Sequence, residues 1–297
     1  MRSLSFLRCQ RPKPNRSLRR LARAYISDLR SDPRSPLYPY KPICFLDDEW
    51  KSLPLRDVRQ ATQNSKLFQF ELPDDEALHL PVCACLLVKA PGAGEKGSDV
   101  VRPYTPVSEE GREGSFDLLV KVYEHGKASQ YLHNLQPGQE VEFKHTSANV
   151  KVQYPFGKKS IIMLAGGTGI TPMYQALQSI FKYDEHDNDL EVTLLYGNKT
   201  EEDIMLREEL EALQKKFSNR FSVVHILSES GNEKWDGDTG FVDAEKIREY
   251  CPRPSDDMKV FVCGPPPMYD LLCGPREDDE VTGALKELGY GSGVVKF

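Results

Sequence analysis

The chain has 297 residues, of which 39% are hydrophobic and 28% charged, so it can bury a sizeable core and is not wholly disordered. At roughly 100–200 residues per domain, this length predicts about two domains. No stretch approaches the roughly 20 apolar residues that span a bilayer, so we expect no transmembrane segment. Seven scattered cysteines are too few for a disulfide scaffold.

The net charge of −6 conceals an asymmetry between the N-terminus and the rest of the chain. Residues 1–27 contain eight basic residues and no acidic one, whereas residues 28–297 carry 31 basic residues against 45 acidic ones. A body this acidic repels phosphates, so we expect no nucleic-acid partner.

The basic segment 1–27 is typical of a mitochondrial presequence, because it is rich in arginine and serine and carries scattered apolar residues. Within it, Arg23-Ala24-Tyr25 resembles a matrix-processing site. A nucleic-acid or membrane-surface tail, or a disordered tail without a targeting role, is the alternative. We therefore expect a mitochondrial protein, with a cytoplasmic or membrane-peripheral location as the alternative. Prolines in residues 28–41 predict an extended linker.

Residues 42–152 contain short β-rich runs bounded by proline and glycine, which predict a small antiparallel β-barrel with one helix near Ala128–Leu135. The predicted strands are Leu53–Gln60, Lys66–Glu71, Val82–Lys89, Val100–Tyr104, Phe116–Tyr123 and Glu140–His145. Cys83 and Cys85 would share one face of their strand. Core packing explains them better than a metal site formed with His79.

The motif Arg102-Pro103-Tyr104-Thr105-Pro106 ends the fourth predicted strand. Its prolines remove backbone donors, so the side chains must carry out recognition. Arg102 offers a planar fork suited to a pyrophosphate, Tyr104 a flat face that can stack on a ring, and Thr105 a hydroxyl. Taken alone, the motif could equally be an edge strand in which prolines prevent aggregation.

A second motif, Gly126-Lys127-Ala128-Ser129-Gln130-Tyr131-Leu132, places a glycine at the start of a helix. Free N–H groups in the first turn, together with Lys127 and Ser129, predict an anion site.

From about residue 153 the pattern changes to alternating strands and helices, which predicts an α/β domain with a parallel sheet over residues 153–297. The predicted strands are Ile161–Ala165, Glu191–Tyr196, Phe221–Leu227 and Lys259–Cys263, and the predicted helices are Pro172–Lys182, Glu201–Phe217 and Asp243–Tyr250.

The first of these strands runs into Gly166-Gly167-Thr168-Gly169-Ile170-Thr171-Pro172, where we expect Thr171 to be the N-cap of the next helix and Pro172 its first residue. Glycines here let a phosphate approach the backbone, although a plain tight turn is the alternative. One phosphate cradle in each half of the chain predicts two bound nucleotides.

Cys263-Gly264-Pro265-Pro266-Pro267-Met268 follows the last predicted strand, at the carboxyl edge where ligands of such sheets bind. Cys263 could be a buried hydrophobe, a nucleophile or a ligand-contacting group. The sequence shows neither a Ser-His-Asp order nor a metal-ligand spacing, so we expect neither a protease nor a zinc site.

In order and spacing, these four motifs resemble NADH–cytochrome b5 reductases of the ferredoxin-NADP reductase superfamily, over about residues 40–297. The resemblance implies a six-stranded antiparallel FAD-binding barrel followed by a pyridine-nucleotide domain. It implies that Arg102 and Pro103 lie at the FAD pyrophosphate and that Tyr104 and Thr105 contact the isoalloxazine. The FAD phosphates would then be cradled at the helix start, by Gly126, Lys127, Ala128 and Ser129.

The same resemblance places Lys121 and Tyr123 on the strand beside the flavin, where the lysine aids NADH binding. Thr168 would lie between flavin and nicotinamide, in a cofactor-binding turn with Gly166, Gly167 and Gly169. Cys263, followed by Gly264 and Pro265, resembles the cysteine near the hydride path, and Phe297 matches the aromatic C-terminus. We therefore expect Lys121, Thr168 and Cys263 to act in catalysis.

The segment after the strand ending at Tyr196 is where such proteins choose between NADH and NADPH. Carboxylates near the adenosine ribose would repel a 2′-phosphate, so Asp203 and Glu201 favour NADH, whereas Lys199 points weakly the other way. An ordinary acidic helix N-terminus is the alternative explanation.

Two segments depart from the pattern of the resemblance. Leu80-Pro81-Val82 continues as Cys83-Ala84-Cys85 instead of Gly-Gln-His, and Lys144–Asn149 replaces a Gly-Pro-x-Gly turn. The acidic body also fits poorly with a partner as acidic as cytochrome b5.

The expected activity is hydride transfer from NADH to FAD, followed by single-electron transfer to a haem protein such as cytochrome b5, by a monomer. The alternatives are a reductase of the same fold for another acceptor and a redox-inactive flavoprotein scaffold.

Overall fold

The computed structural model describes residues 44–182, 189–229 and 234–297. The predicted presequence (1–27) and linker (28–41) lie outside the described residues. Residues Cys44–Phe297 form one compact unit, which contains the two sheets described below.

The first sheet is antiparallel and has six strands, in the order β4-β3-β6-β1-β2-β5. Its strands are β1 (Lys51–Thr62), β2 (Ser65–Glu71), β3 (Leu86–Ala90), β4 (Val100–Tyr104), β5 (Ser115–Lys121) and β6 (Glu140–Lys144). Beyond β4 the chain reaches the opposite edge strand, where Pro106 bridges Leu118 and the amide of Val107 donates to the carbonyl of Asp117 at 2.9 Å. The two edges of the sheet therefore meet at this point.

Aromatic packing fills the interior of the first sheet. Phe70 lies edge-on to Phe143 with ring centroids 4.7 Å apart, and Phe116 lies against both. The helix α1 (Lys127–His133) covers one end of this core through the buried side chain of Leu132.

The second sheet is parallel and has the order β10-β9-β8-β7-β11-β12. Its strands are β7 (Ser160–Gly166), β8 (Glu191–Asn198), β9 (Phe221–Leu227), β10 (Asp238–Thr239), β11 (Met258–Cys263) and β12 (Val294–Lys296). The helices are α2 (Ile170–Lys182), α3 (Arg207–Lys216), α4 (Ala244–Tyr250), α5 (Pro266–Leu272) and α6 (Gly283–Glu287). Residues 161–165 of β7 are fully buried, as expected of a central strand covered on both faces.

This architecture confirms the predicted fold class, an antiparallel six-stranded sheet followed by an α/β parallel sheet. The strands from Phe221 to Leu227 and from Val100 to Tyr104 have the predicted bounds. Helix α4 begins after Asp243, whose carboxylate accepts hydrogen bonds from the amides of Glu245 and Lys246 at 3.0 Å.

The third predicted strand is wrong in its first half. Cys83 has a left-handed φ of 62°, and its amide donates to Gln175 Oε1 of α2 at 2.6 Å instead of to a sheet neighbour. The strand starts only at Leu86, so Cys83 and Cys85 do not share a strand face.

Two helix boundaries also differ from the prediction. The segment from Glu201 to Phe217 is not one helix, because a short 3-10 turn (Glu201–Asp203) is separated from α3 by Leu206 with a φ of 58°. Thr171 is not an N-cap. Helix α2 begins at Ile170 after a 3-10 turn (Gly167–Gly169), and the Thr171 hydroxyl donates to the carbonyl of Thr168 at 3.2 Å.

The elements β10, β12, α5 and α6 are absent from the prediction, because they are short and carry weak periodicity. Among the described residues, no helix has both the length and the apolar character needed to cross a membrane.

Candidate functional site

A cavity of about 660 Å³ lies where the two sheets meet, within the range of small-ligand sites. It brings together residues from all four sequence motifs. The predicted site residues that line it are Arg102, Pro103, Tyr104, Thr105, Lys121, Tyr123, Gly126, Lys127, Ala128, Ser129, Thr168, Gly169, Cys263 and Gly264. Gly166, Gly167, Asp203 and Pro265 are not part of its lining.

Strand β4 presents the first motif to the cavity. The backbone of Arg102 pairs with Val88, while its exposed guanidinium makes one hydrogen bond, to the carbonyl of Val101 at 2.8 Å. Arg102 lines the cavity, and a guanidinium there can bind an anion. Burial raises the pKa of Tyr104 to about 12, so this ring is neutral at physiological pH and suited to stacking.

The start of helix α1 is built around Gly126. A side chain there would overlap Ser129 Oγ, and the Ser129 hydroxyl donates to the Gly126 carbonyl at 2.9 Å. Ser129 Oγ also accepts a hydrogen bond from the amide of Tyr123 at 3.2 Å. This turn leaves the first amides of the helix, from Lys127 onward, at the cavity wall, where they can bind a phosphate.

The glycine turn after β7 forms the opposite side of the cavity. Gly167 has a left-handed φ of 52° and open space beside it, whereas a Cβ on Gly169 would overlap the carbonyl of Cys263. A Cβ on Gly166 would lie 2.7 Å from Met268 Sδ. Gly166 and Gly169 are thus required for packing against the end of β11, and that packing fixes Thr168 at the cavity.

Thr168 is connected to the first sheet across the cavity. Its Oγ1 lies 3.2 Å from the hydroxyl of Tyr123, a residue that is 49% exposed. The two predicted site residues therefore join the two halves of the molecule at the cavity wall.

Cys263 lies at the end of β11, beside Tyr269 and the C-terminal Phe297. Phe297 packs edge-on against Phe261 with ring centroids 5.4 Å apart, and its carbonyl accepts a hydrogen bond from the Tyr269 hydroxyl. Burial raises the pKa of the Cys263 thiol to about 11. Cys263 is therefore a neutral thiol at physiological pH, which argues against the nucleophile interpretation.

We expect Cys263 to react slowly with iodoacetamide at pH 8, because only about a thousandth of a thiol with a pKa near 11 is then ionised. Mass spectrometry of the modified peptide should show the rate rising about tenfold per pH unit up to pH 10. A rate that is already maximal at pH 8 would contradict the neutral-thiol assignment.

Asp203 and Lys121, which the sequence assigns to different parts of the nucleotide site, form a buried ion pair with each other. Asp203 Oδ1 lies 2.9 Å from Lys121 Nζ and 2.7 Å from Asn64 Nδ2, and Glu201 is bound by Arg207. Both acidic residues that were predicted at the adenosine ribose are thus already engaged within the protein. Their contact with a ribose stays a prediction.

The cavity is basic although the protein is acidic. Among the residues that the structure describes, its lining contains neither aspartate nor glutamate, and its basic residues are Arg102, Lys127, Lys151, Arg276 and Lys121, of which Lys121 is paired with Asp203. Sequence reasoning missed Lys151 and Arg276, since both lie in irregular segments without a motif. Such a lining suits a ligand that carries several negative charges.

The residues present fit a dinucleotide, because a glycine-started helix, an arginine fork and a basic cavity lie together where two sheets meet. In the described ranges, no cluster of His, Cys, Asp and Glu could hold a metal ion.

The two halves of the chain match two families of known domains. Residues 52–152 match the oxidoreductase FAD-binding domain, and residues 163–274 match the oxidoreductase NAD-binding domain. The chain therefore has both a FAD-binding and an NAD-binding domain.

Whole-chain relatives agree with this assignment. NADH-cytochrome b5 reductase 2 of Aspergillus terreus is 41% identical over 261 residues, which cover 84% of this chain and 79% of that protein. The protein of the same name from Debaryomyces hansenii is 40% identical over 257 residues, 84% of each chain.

Among solved structures, the cytochrome b5 reductase domain of Ulva prolifera nitrate reductase is similar with a TM-score of 0.74 and 31% identity, covering 86% of this chain and 100% of that one. Together with the identity to whole relatives, this shows that the chain belongs to the NADH-cytochrome b5 reductase family of FAD- and NAD-binding oxidoreductases.

Proposed function

We propose that this protein oxidises NADH and passes the electrons singly to a haem protein of the cytochrome b5 type, acting as a monomer. The observation that carries the proposal is the basic cavity in which residues of the FAD-binding and NAD-binding halves converge. Bound FAD supplies the redox chemistry, because it accepts a hydride and can release electrons one at a time.

The residues of the first half would bind the FAD. Arg102, whose guanidinium makes one internal hydrogen bond, would pair with the pyrophosphate, and the amides of Lys127, Ala128 and Ser129 at the helix start would donate to phosphate oxygens. Tyr104, Thr105 and Tyr123 would then orient the ring system at the cavity wall. The neutral Tyr104 provides a flat face that adds no charge beside it.

The residues of the second half would bring NADH against this ring. Within the glycine turn, the open space beside Gly167 would allow a close approach to the backbone, with Gly264 and Pro265 beside the turn at the end of β11. Thr168 and Cys263 would position the nicotinamide and exclude water. Hydride transfer requires neither a protein acid nor a base, and Cys263 with its raised pKa offers neither at physiological pH.

The basic lining also supports an acidic partner protein. Lys127, Lys151 and Arg276 stand at the cavity on a body that is otherwise acidic. Local potential steers a docking partner more than net charge does. A basic patch of this kind would attract an acidic partner such as cytochrome b5 even though the net charge of the chain is negative.

A steady-state assay with NADH against a panel of acceptors tests the proposal. Cytochrome b5 should be reduced faster than a quinone or an iron–sulfur protein, and raising the salt concentration should slow the reaction. Equal rates for all acceptors, or a rate insensitive to salt, would reject cytochrome b5 as the partner.

We further propose that residues 42–152 bind FAD and residues 153–297 bind NADH, and that residues 1–27 direct the protein to mitochondria. The targeting proposal is supported by the arginine-rich, acid-free composition of residues 1–27. A fusion of these residues to a fluorescent protein should be imported and shortened. The same fusion with its eight basic residues replaced by glutamine should stay outside; import of both would contradict the proposal.

A further inference from the structure

The carboxylate of Asp203 joins three segments that are distant in sequence. Asp203 lies in the 3-10 turn after β8, Lys121 is the last residue of β5, and Asn64 lies in the turn between β1 and β2. Asp203 Oδ1 accepts from Lys121 Nζ at 2.9 Å and from Asn64 Nδ2 at 2.7 Å. One oxygen of the NAD-binding half therefore holds two donors of the FAD-binding half.

This ion pair is shielded from solvent. The side chain of Asp203 is 5% exposed and that of Lys121 is 15% exposed. Burial acts to raise the pKa of Asp203, but the hydrogen bonds from Lys121 and Asn64 outweigh it and lower that pKa below its usual value. A buried charge without its partner is strongly unfavourable. The two side chains of this pair are therefore held together more firmly than those of an ion pair on the surface.

A second contact keeps the same segments together. Ser65, next to Asn64, is fully buried and its hydroxyl lies 3.4 Å from Met205 Sδ, two residues after Asp203. The amide of Val122 donates to the carbonyl of Asn64 at 2.8 Å. The turn, the end of β5 and the loop after β8 thus form a fixed seam behind the cavity wall.

Only Lys121 of these residues reaches the cavity, since it lines the cavity while Asp203 and Asn64 do not. An unrestrained lysine loses much rotamer entropy when it binds a ligand. Here that entropy is already lost, and the remaining ammonium donors are aimed from a fixed position. The partly compensated charge also suits a neutral oxygen, such as a hydroxyl or an amide carbonyl, better than it suits a phosphate.

We propose that Asp203, aided by Asn64, is a positioning residue that holds the Lys121 ammonium where it donates to a neutral oxygen of the pyridine nucleotide. The inference rests on the proposed function, since it concerns how NADH is bound. Asp203 acts only through Lys121, and the same carboxylate seats the loop after β8 against β5.

The test is a double-mutant cycle that reads nucleotide binding separately from turnover. Asp203→Ala should weaken NAD⁺ binding to the oxidised flavoprotein, followed by the change in its visible spectrum, by about tenfold. The KM for NADH should rise by a similar factor while kcat changes less than about threefold. Asn64→Ala should give a smaller effect in the same direction.

In a Lys121→Ala background, Asp203→Ala should change NAD⁺ binding less than about twofold, because the residue through which it acts is gone. Glu202→Gln is the matched control, since it removes one charge from the exposed neighbouring residue. If Asp203→Ala does not fold, Asp203→Asn keeps the shape and should show a weaker form of the same coupling.

An Asp203 effect of equal size with and without Lys121, or one no larger than that of Glu202→Gln, would overturn the positioning role. A wild-type protein that binds FAD but is not reduced by NADH would overturn the proposed function and this inference with it. The two failures are therefore distinguishable.

Discussion

Replacing Arg102 with alanine is expected to weaken FAD binding by about 10- to 100-fold. Hydrogen bonds to charged groups contribute about 1.5–3 kcal/mol, and the Arg102 fork would lose its contacts with the pyrophosphate. Its guanidinium makes one internal hydrogen bond, so the substitution removes little that stabilises the apoprotein. The measurement is the FAD dissociation constant, obtained by titrating the apoprotein and following flavin fluorescence.

Arg59→Ala is the matched control for this substitution. Arg59 lies on β1 with its side chain 60% exposed and paired with Asp57, and it does not line the cavity. The control should bind FAD as the wild type does. If Arg102→Ala also retains wild-type affinity, Arg102 does not hold the pyrophosphate.

Replacing Gly169 with alanine is expected to slow reduction of the flavin by NADH about 100-fold. The added Cβ would overlap the backbone carbonyl of Cys263, so the glycine turn must shift away from the end of β11. Overpacking of this kind costs about 1–3 kcal/mol in stability. A displacement of about 1 Å at a site of hydride transfer can cost about 100-fold in rate.

Stopped-flow measurement of flavin reduction, with a thermal melt to show that the protein is folded, tests this prediction. Gly291→Ala is the control, because a Cβ at Gly291 meets no atom within 4 Å. FAD content should stay unchanged in both variants, since Gly169 lies in the NAD-binding half. A Gly169→Ala protein that is reduced at the wild-type rate would show that the position of this turn does not limit hydride transfer.

The elements that carry strong local patterns could be predicted from the sequence. The apolar run of β7 predicts a buried strand, and the motif that ends β4 predicts both a strand and a place at the ligand site. The sequence also predicts a helix that starts at Gly126, and the structure confirms it, with Gly126 as the N-cap and with room only for a residue without a side chain beside Ser129 Oγ. In each case the information lies within about ten residues.

The features that depend on distant partners could not be predicted. In the sequence, Asp203 has the pattern of an exposed acidic residue near a helix start. In the structure it is buried and forms an ion pair with Lys121, 82 residues away. Cys83 leaves the strand because its amide is bound by Gln175, 92 residues further along. Lys151 and Arg276 join the cavity from irregular segments, for which the sequence contains no periodic pattern.

The distribution of charge over the folded chain is a further property that the sequence does not predict. Net charge predicts a body that repels anions, whereas the folded chain gathers Arg102, Lys127, Lys151 and Arg276 at one cavity. Net charge therefore describes solubility and long-range repulsion. The fold determines where on the molecule the local electrostatic potential becomes positive.

The most direct measurement is an anaerobic titration of the purified, FAD-loaded protein with NADH, followed through the visible flavin bands. One equivalent of NADH per flavin should bleach these bands, and cytochrome b5 added afterwards should restore them in two single-electron portions. Bands that persist in excess NADH would contradict the claim that the two halves of the chain bring the nicotinamide and the flavin together in one cavity.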